Sequence, residues 1–174
     1  MSHFFKIIFI FCLCLACKLR SQSKTELQKL NHLSDSLVDN NLLLEAYVVF
    51  TQIVKFDPTN TKALSNKAIY ELKIGDTANA KVSLDLWILH EPKSAKAYNL
   101  KGFLLYSVGS YNEAKKYLAT AVDLQPSNAT YLRDLASVKC ALHLFNESMT
   151  DFDKALKLNP KGDSIYVAKA QSIL

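Results

Sequence analysis

The four prolines of this chain, Pro58, Pro92, Pro126 and Pro160, stand 34 residues apart. A fixed period of that length marks a repeat array. Each repeat is one supersecondary element that cannot bury its apolar face alone and must stack on its neighbours. Proline lacks an amide hydrogen and its ring clashes with the preceding helical turn, so it stays out of helix interiors. The period therefore fixes both the length of the repeat and the place where each one closes.

Counting back from each proline sorts the apolar residues into register. Twelve residues before it stand Ala46, Ala80, Ala114 and Ser148; eight before stand Phe50, Leu84, Leu118 and Phe152; five before stand Ile53, Trp87, Ala121 and Ala155. Steps of four and three trace one stripe of a helix. Twenty-four before stand Ser34, Ala68, Gly102 and Ala136, all small, and twenty-eight before stand Leu30, Leu64, Tyr98 and Leu132, all large. Small residues let two helices approach closely while large ones fill the space beside the crossing. Seventeen before stand Asn41, Gly75, Gly109 and His143, which read as the turn between two helices. In the first repeat a capping-box spacing, Ser23 with Glu26, opens a helix through Leu27, Leu30, Leu33, Leu37 and Val38. A second helix follows from Leu42 to about Phe56.

This pattern resembles the tetratricopeptide repeat, a 34-residue helical hairpin with small residues at its crossing and a closing proline. The third repeat carries the likeness best, with Ala95 to Gly102, Gly109 to Ala114, and Ala121 to Pro126. Ser148, His143 and Ser34 depart from the usual Ala or Gly at their places. The resemblance implies an all-α, right-handed α-solenoid of antiparallel helix pairs over residues 27–174. Its full repeats are 27–60, 61–94, 95–128 and 129–162, and a partial fifth, 163–174, forms one extra C-terminal helix. Ile165, Tyr166, Ala168, Ala170 and Ile173 fit that helix.

By the same resemblance the first helices line a concave groove, and the protein is a non-catalytic interaction module that holds a peptide or protein segment there. Residues opposite the small-residue stripe are Gln28, Asn31 and Asp35 in the first repeat. The second gives Lys62, Ser65, Ile69 and Lys73, the third Lys96, Asn99, Phe103 and Tyr106, and the fourth Arg133 and Ser137. A basic centre over an aromatic floor suits a peptide with acidic and apolar groups. Chaperone-binding members of the family clamp a C-terminal carboxylate with basic and asparagine side chains. Asn66 and Lys96 match two of those places, but Asn31, Asp35 and Leu100 stand where Lys, Asn and Arg belong, so no clamp is expected. An alternative is a structural subunit of a cell-envelope complex, docked through the convex face or through a C-terminal stripe of Ile165, Ile173 and Leu174.

Residues 1–21 form a leader, joined by a linker, 22–26. Its apolar run from Ile7 to Cys17 follows Lys6 and has eleven residues, whereas a spanning helix needs about 20. A short charged region before an apolar run of this length is the secretory signal pattern. Cys14-Leu15-Ala16-Cys17 resembles the end of a bacterial lipoprotein signal, with Cys17 as the lipidated residue. Cys14 and Leu15 depart from the aliphatic and small residues of that pattern. A plain cut after Ala16 or Ser21 and an uncleaved anchor are the alternatives. Each places the remainder outside the cytoplasm: periplasmic, secreted or membrane-tethered.

Composition excludes other classes. The net charge of +5 falls to +2 without the leader, because Lys6, Lys18 and Arg20 lie there and leave 18 basic residues against 16 acidic. A nucleic-acid surface needs clustered basic residues, and no such run follows the leader, so no nucleic acid partner is expected. The membrane enters only through the leader or its lipid. Cys140 stands alone beyond the leader, which rules out an internal disulfide there, and it reads as a small hydrophobe of an apolar helix. His3, His32, His90 and His143 lack the paired spacing of a metal site, and no glycine-rich phosphate loop occurs. Neither metal, cofactor nor catalytic centre is expected. Asn128-Ala-Thr130 and Asn146-Glu-Ser148 match the glycosylation pattern and read as coincidences.

Overall fold

The computed structural model describes residues 24–171, and every regular element there is an α-helix. Helix α1 covers residues 24–39. It is followed by α2 Leu43–Phe56, α3 Thr61–Lys73, α4 Thr77–His90, α5 Ala95–Ser107, α6 Tyr111–Leu124, α7 Ala129–Ala141, α8 Phe145–Leu158 and α9 Asp163–Gln171. The leader with Cys17, the capping residue Ser23, and Ile173 with Leu174 lie outside the described residues. The chain divides within α3 into two compact units, one ending at Tyr70 and one beginning at Glu71.

The prolines act through the residues before them. A proline ring disfavours helical geometry at the preceding residue and pushes it to extended values. Asp57, Glu91, Gln125 and Asn159 accordingly adopt φ between −141 and −135 and ψ between 71 and 89. Each still donates its N–H to the carbonyl four residues back, at Ile53, Trp87, Ala121 and Ala155. The same four residues accept a second bond from Asn60, Ser94, Asn128 and Gly162, and this starts the next helix.

Turns inside the hairpins share one geometry as well. Asn41, Gly75, Gly109 and His143 have φ of 59, 76, 78 and 60. The residue after each donates its N–H to the carbonyl five back: Leu42 to Leu37, Asp76 to Glu71, Ser110 to Leu105, and Leu144 to Lys139. This is the Schellman ending, which needs a left-handed residue and satisfies two otherwise orphaned carbonyls. Asn and His take it in the first and fourth repeats, where glycine would meet no Cβ penalty.

In the unit ending at Tyr70, Leu30, Ala46, Val49, Phe50, Ile53 and Ala63 form the core, with Leu27, Leu37 and Val54 against it. Tyr47 stacks on Tyr70 with ring centroids 4.7 Å apart. Leu33 and Val38 were expected on this face, yet both are exposed. The buried stripe runs Leu27, Leu30, Ser34, Leu37, and a residue one position off it turns away by about 100°, since 3.6 residues make a turn. Ser34 is buried and donates its hydroxyl to Asn31 O at 2.8 Å.

In the unit from Glu71, α5 pairs with α6 and α7 with α8. Gly102 sits where the first pair crosses: a Cβ there would lie 2.5 Å from Leu118 Cγ. The second crossing is filled by Leu132, Ala136, Phe152 and Ala155. Ser148, in the place of an Ala, is buried and donates to Ala136 O at 2.8 Å, so its hydroxyl carries no desolvation penalty. Ile165 of α9 belongs to that core, so it is not the open apolar residue expected of it; Ile173 and Leu174, the rest of that expected stripe, lie outside the described residues. Tyr166 and Val167 are the exposed apolar residues of α9. Lys101, only 2% exposed, is buried along its stem and donates Nζ to Asp85 Oδ1 at 2.7 Å.

A candidate interaction groove on the first helices

Residues four and three apart on a helix share a face. On α5 that stripe is Asn99, Phe103, Tyr106; on α7 it is Arg133, Ser137, Cys140; on α9 it is Ser164, Ala168, Gln171. The first members are tied together. Asn99 Nδ2 donates to Asp134 Oδ2 at 2.9 Å. Arg133 donates Nε and Nη2 to Asp134 Oδ1 at 2.9 and 2.7 Å, and Nη1 to Ser164 Oγ at 3.0 Å. Asp134 and Arg133 together thus link three first helices. The Asp134 charge, after burial, also holds the Tyr131 phenol above its ordinary 10.0.

One to two turns further along, a cleft of about 290 Å³ is lined by Tyr106, Ser137, Cys140, Ala141, Ala168 and Gln171. Its small side chains come from α7 and α9, while Tyr106 supplies an aromatic wall. That ring is steadied by Tyr111, with centroids 5.5 Å apart. Phe103, 52% exposed, stands one turn before Tyr106, which is 36% exposed.

The sequence-predicted groove residues therefore separate. Phe103, Tyr106 and Ser137 lie at or beside the cleft, and Lys96 is exposed at the start of α5. Asn99 was expected to face a ligand but is only 7% exposed, its amide held by Asp134. Arg133 is paired with Asp134, and Lys62, in the unit ending at Tyr70, is paired with Asp35 at 2.5 Å. The expected basic centre is accordingly weaker than the count of Lys and Arg implied. In the unit ending at Tyr70, Asn66 bonds back to Lys62 O at 3.0 Å and Ile69 is half-buried, whereas Lys73, exposed, belongs to the unit beginning at Glu71. Cys140, expected as a core hydrophobe, is half-buried and lines the cleft.

Asp134, Ser164, Ala168 and Gln171 were missed. Gln171 could have been found by carrying the 34-residue register of Phe103 and Ser137 onto the partial fifth repeat, whereas Ser164 and Ala168 lie outside that register. Asp134 lies off the outward stripe and only its bonds reveal it. Among the described residues no group of three or more His, Cys, Asp or Glu could hold a metal ion. No described helix is long and apolar enough to cross a membrane.

Comparison with known proteins agrees with the repeat register. The tetratricopeptide repeat family model matches residues 95–128. The small glutamine-rich tetratricopeptide repeat-containing protein 2 of Mycosarcoma maydis is 30% identical over 104 residues, 60% of this chain; the match spans 29% of that relative's length. The crystal structure of MamA protein superposes with a TM-score of 0.75 at 18% identity, covering 84% of this chain and 80% of that one. The crystal structure of YrrB, a TPR protein with an unusual peptide-binding site, gives a TM-score of 0.70 at 13% identity, over 81% and 73%. At these identities the two structures report the shared all-α solenoid fold.

Proposed function

Since the chain is a tetratricopeptide-repeat protein, we propose that it is a non-catalytic interaction module that holds a peptide or protein segment along the first-helix face of the unit beginning at Glu71. The observation that carries this reading is the pair of exposed rings, Phe103 and Tyr106, beside a cleft lined by small residues of α7 and α9. Exposed aromatic side chains bordering a concavity are what binding surfaces use: a large apolar area with few rotamers to lose. The peptide-binding site of YrrB, in a chain of similar fold, lends the reading further support. Capture by the wild-type chain is to be compared with capture by a Phe103→Ala, Tyr106→Ala double variant. A partner held equally by both would remove the groove assignment.

A second reading, docking as an assembly subunit through the second helices, is favoured by Val82 and Leu89, two exposed apolar residues of α4. A Leu89→Ser variant that loses the partner while the double variant keeps it would establish this instead. For the leader we propose export, on the charge and length of its apolar run. The intact mass of the mature protein from membrane and soluble fractions distinguishes lipidation at Cys17 from a plain cut. An unprocessed mass in the cytoplasmic fraction would refute export.

A further inference from the structure

We propose that the cleft between α5, α7 and α9 seats one bulky apolar side chain of a partner segment, and that Arg133 takes a carboxylate two residues away from it. This rests on the groove reading above and adds the chemistry of the occupant. The register explains the hole. Phe103 and Tyr106 of the third repeat correspond to Ser137 and Cys140 of the fourth, so where α5 carries rings α7 carries small residues, and Tyr106 lines the cleft with Ser137 and Cys140. Ala168 on α9 leaves the far wall equally low. At about 290 Å³ the cleft lies at the bottom of the range for small-molecule sites, which is roughly 300–1,000 Å³. It has room for one large side chain.

Charge complementarity names the second feature. Along this face α5 and α7 offer Lys96 and Arg133, the second already paired with Asp134, whose carboxylate accepts one bond from Asn99 and two from Arg133. Among the described residues Lys96 has no ion pair. A guanidinium carries five N–H donors. Three are committed here, to Asp134 and Ser164, so two remain on a head group already held in place. A pre-oriented guanidinium loses little freedom when it accepts a carboxylate. Arg133 and Ser137 are one helical turn apart, the Ser137 hydroxyl donating to Arg133 O at 3.0 Å. That turn rises about 6 Å. An extended chain advances about 3.3 Å per residue, so a carboxylate over Arg133 and an apolar side chain in the cleft are two residues apart.

The test pans a randomised heptapeptide phage library on the immobilised full chain. Enriched peptides are expected to share a large apolar residue two positions from Asp or Glu. Ala168→Trp, which fills the cleft, should weaken them at least tenfold. Arg133→Gln should weaken them at least tenfold and remove the acidic preference, because a hydrogen bond between two charged groups is lost. The Arg133 side chain is 26% exposed and Gln keeps amide donors for Asp134 and Ser164, so this second variant answers even if Ala168→Trp does not fold. Peptides that lack the paired signature, or that bind Ala168→Trp as well as wild type, overturn the cleft. If those peptides are nonetheless lost with Phe103→Ala, the groove reading stands without it. A library that yields no peptide sensitive to any of the three variants overturns both.

Discussion

Gly102→Ala adds one methyl group at the tightest point of the α5–α6 crossing. The new Cβ would lie 2.5 Å from Leu118 Cγ, 2.9 Å from Leu118 Cδ2 and 3.2 Å from Ala114 O. Leu118 and Ala114 are themselves buried, and Cγ is the branch point of the leucine rather than its flexible end. The helices must therefore separate or Leu118 must leave its rotamer. Overpacking of this kind costs about 1–3 kcal/mol, against which alanine returns about 1 kcal/mol of helix propensity. The expected net loss is about 0–2 kcal/mol, or a fall of up to roughly 8 °C in Tm for a chain of this size. Urea unfolding followed by circular dichroism measures it. The sign should reverse in a Leu118→Ala background. That substitution alone costs about 2–5 kcal/mol, but with the clash gone Gly102→Ala should then stabilise by about 0.5–1 kcal/mol. A Gly102→Ala protein clearly more stable than wild type, or an equal effect in both backgrounds, would refute the close-approach argument.

Three further outcomes are expected. His143→Gly should raise stability by about 0.5–1 kcal/mol by relieving a left-handed non-glycine residue, and Gly109→Ala should lower it by a similar amount; opposite signs in urea titration would overturn the turn assignment. Lys139→Met should cost about 1–3 kcal/mol, because buried Asp151 keeps only Lys154, at 3.3 Å; a Lys139→Met, Asp151→Leu chain should recover most of it, and thermal melts of the three variants decide. Stability should decline above about pH 10. Burial, then Asp85, Glu113 and Tyr98, hold the Tyr117 phenol above its ordinary 10.0, and burial and Asp134 do the same for Tyr131. For Lys139 burial lowers the value, but hydrogen bonds and charge from Asp151 and Glu147 outweigh it and leave it above 10.5. Each folded-state group keeps its proton longer than the unfolded chain does, so its contribution is complete below about pH 10 and is lost as pH rises through the folded values. A Tm that stays flat from about pH 8 to 11 would contradict this.

Most of the fold was legible because the repeat dictates it locally. Proline sets the backbone of the residue before it, and residues in one register meet the same neighbours. Ala46, Ala80 and Ala114 are buried alike for that reason. Legibility failed where a residue's neighbour is distant in sequence. Asn99 reads as a surface amide until Asp134, 35 residues on, accepts its hydrogen bond. Leu33 reads as core until the observed stripe passes beside it. Ile165 reads as an open end until α7 and α8 supply its core partners.

What the sequence by itself determined is the period, the helix ends and the packing register. All follow from covalent constraints on proline, from the left-handed turn residue, and from side-chain size at a fixed helical step. The tertiary structure alone decided which polar residues face inward and where space remains. Whether Arg133 is a loose cation or a fixed one depends on Asp134 and Ser164, and whether Tyr106 borders a cleft depends on the small residues of α7 and α9 opposite it. Hydrogen bonds and empty volume belong to pairs and triples of helices, and a single helix's residue pattern does not contain them.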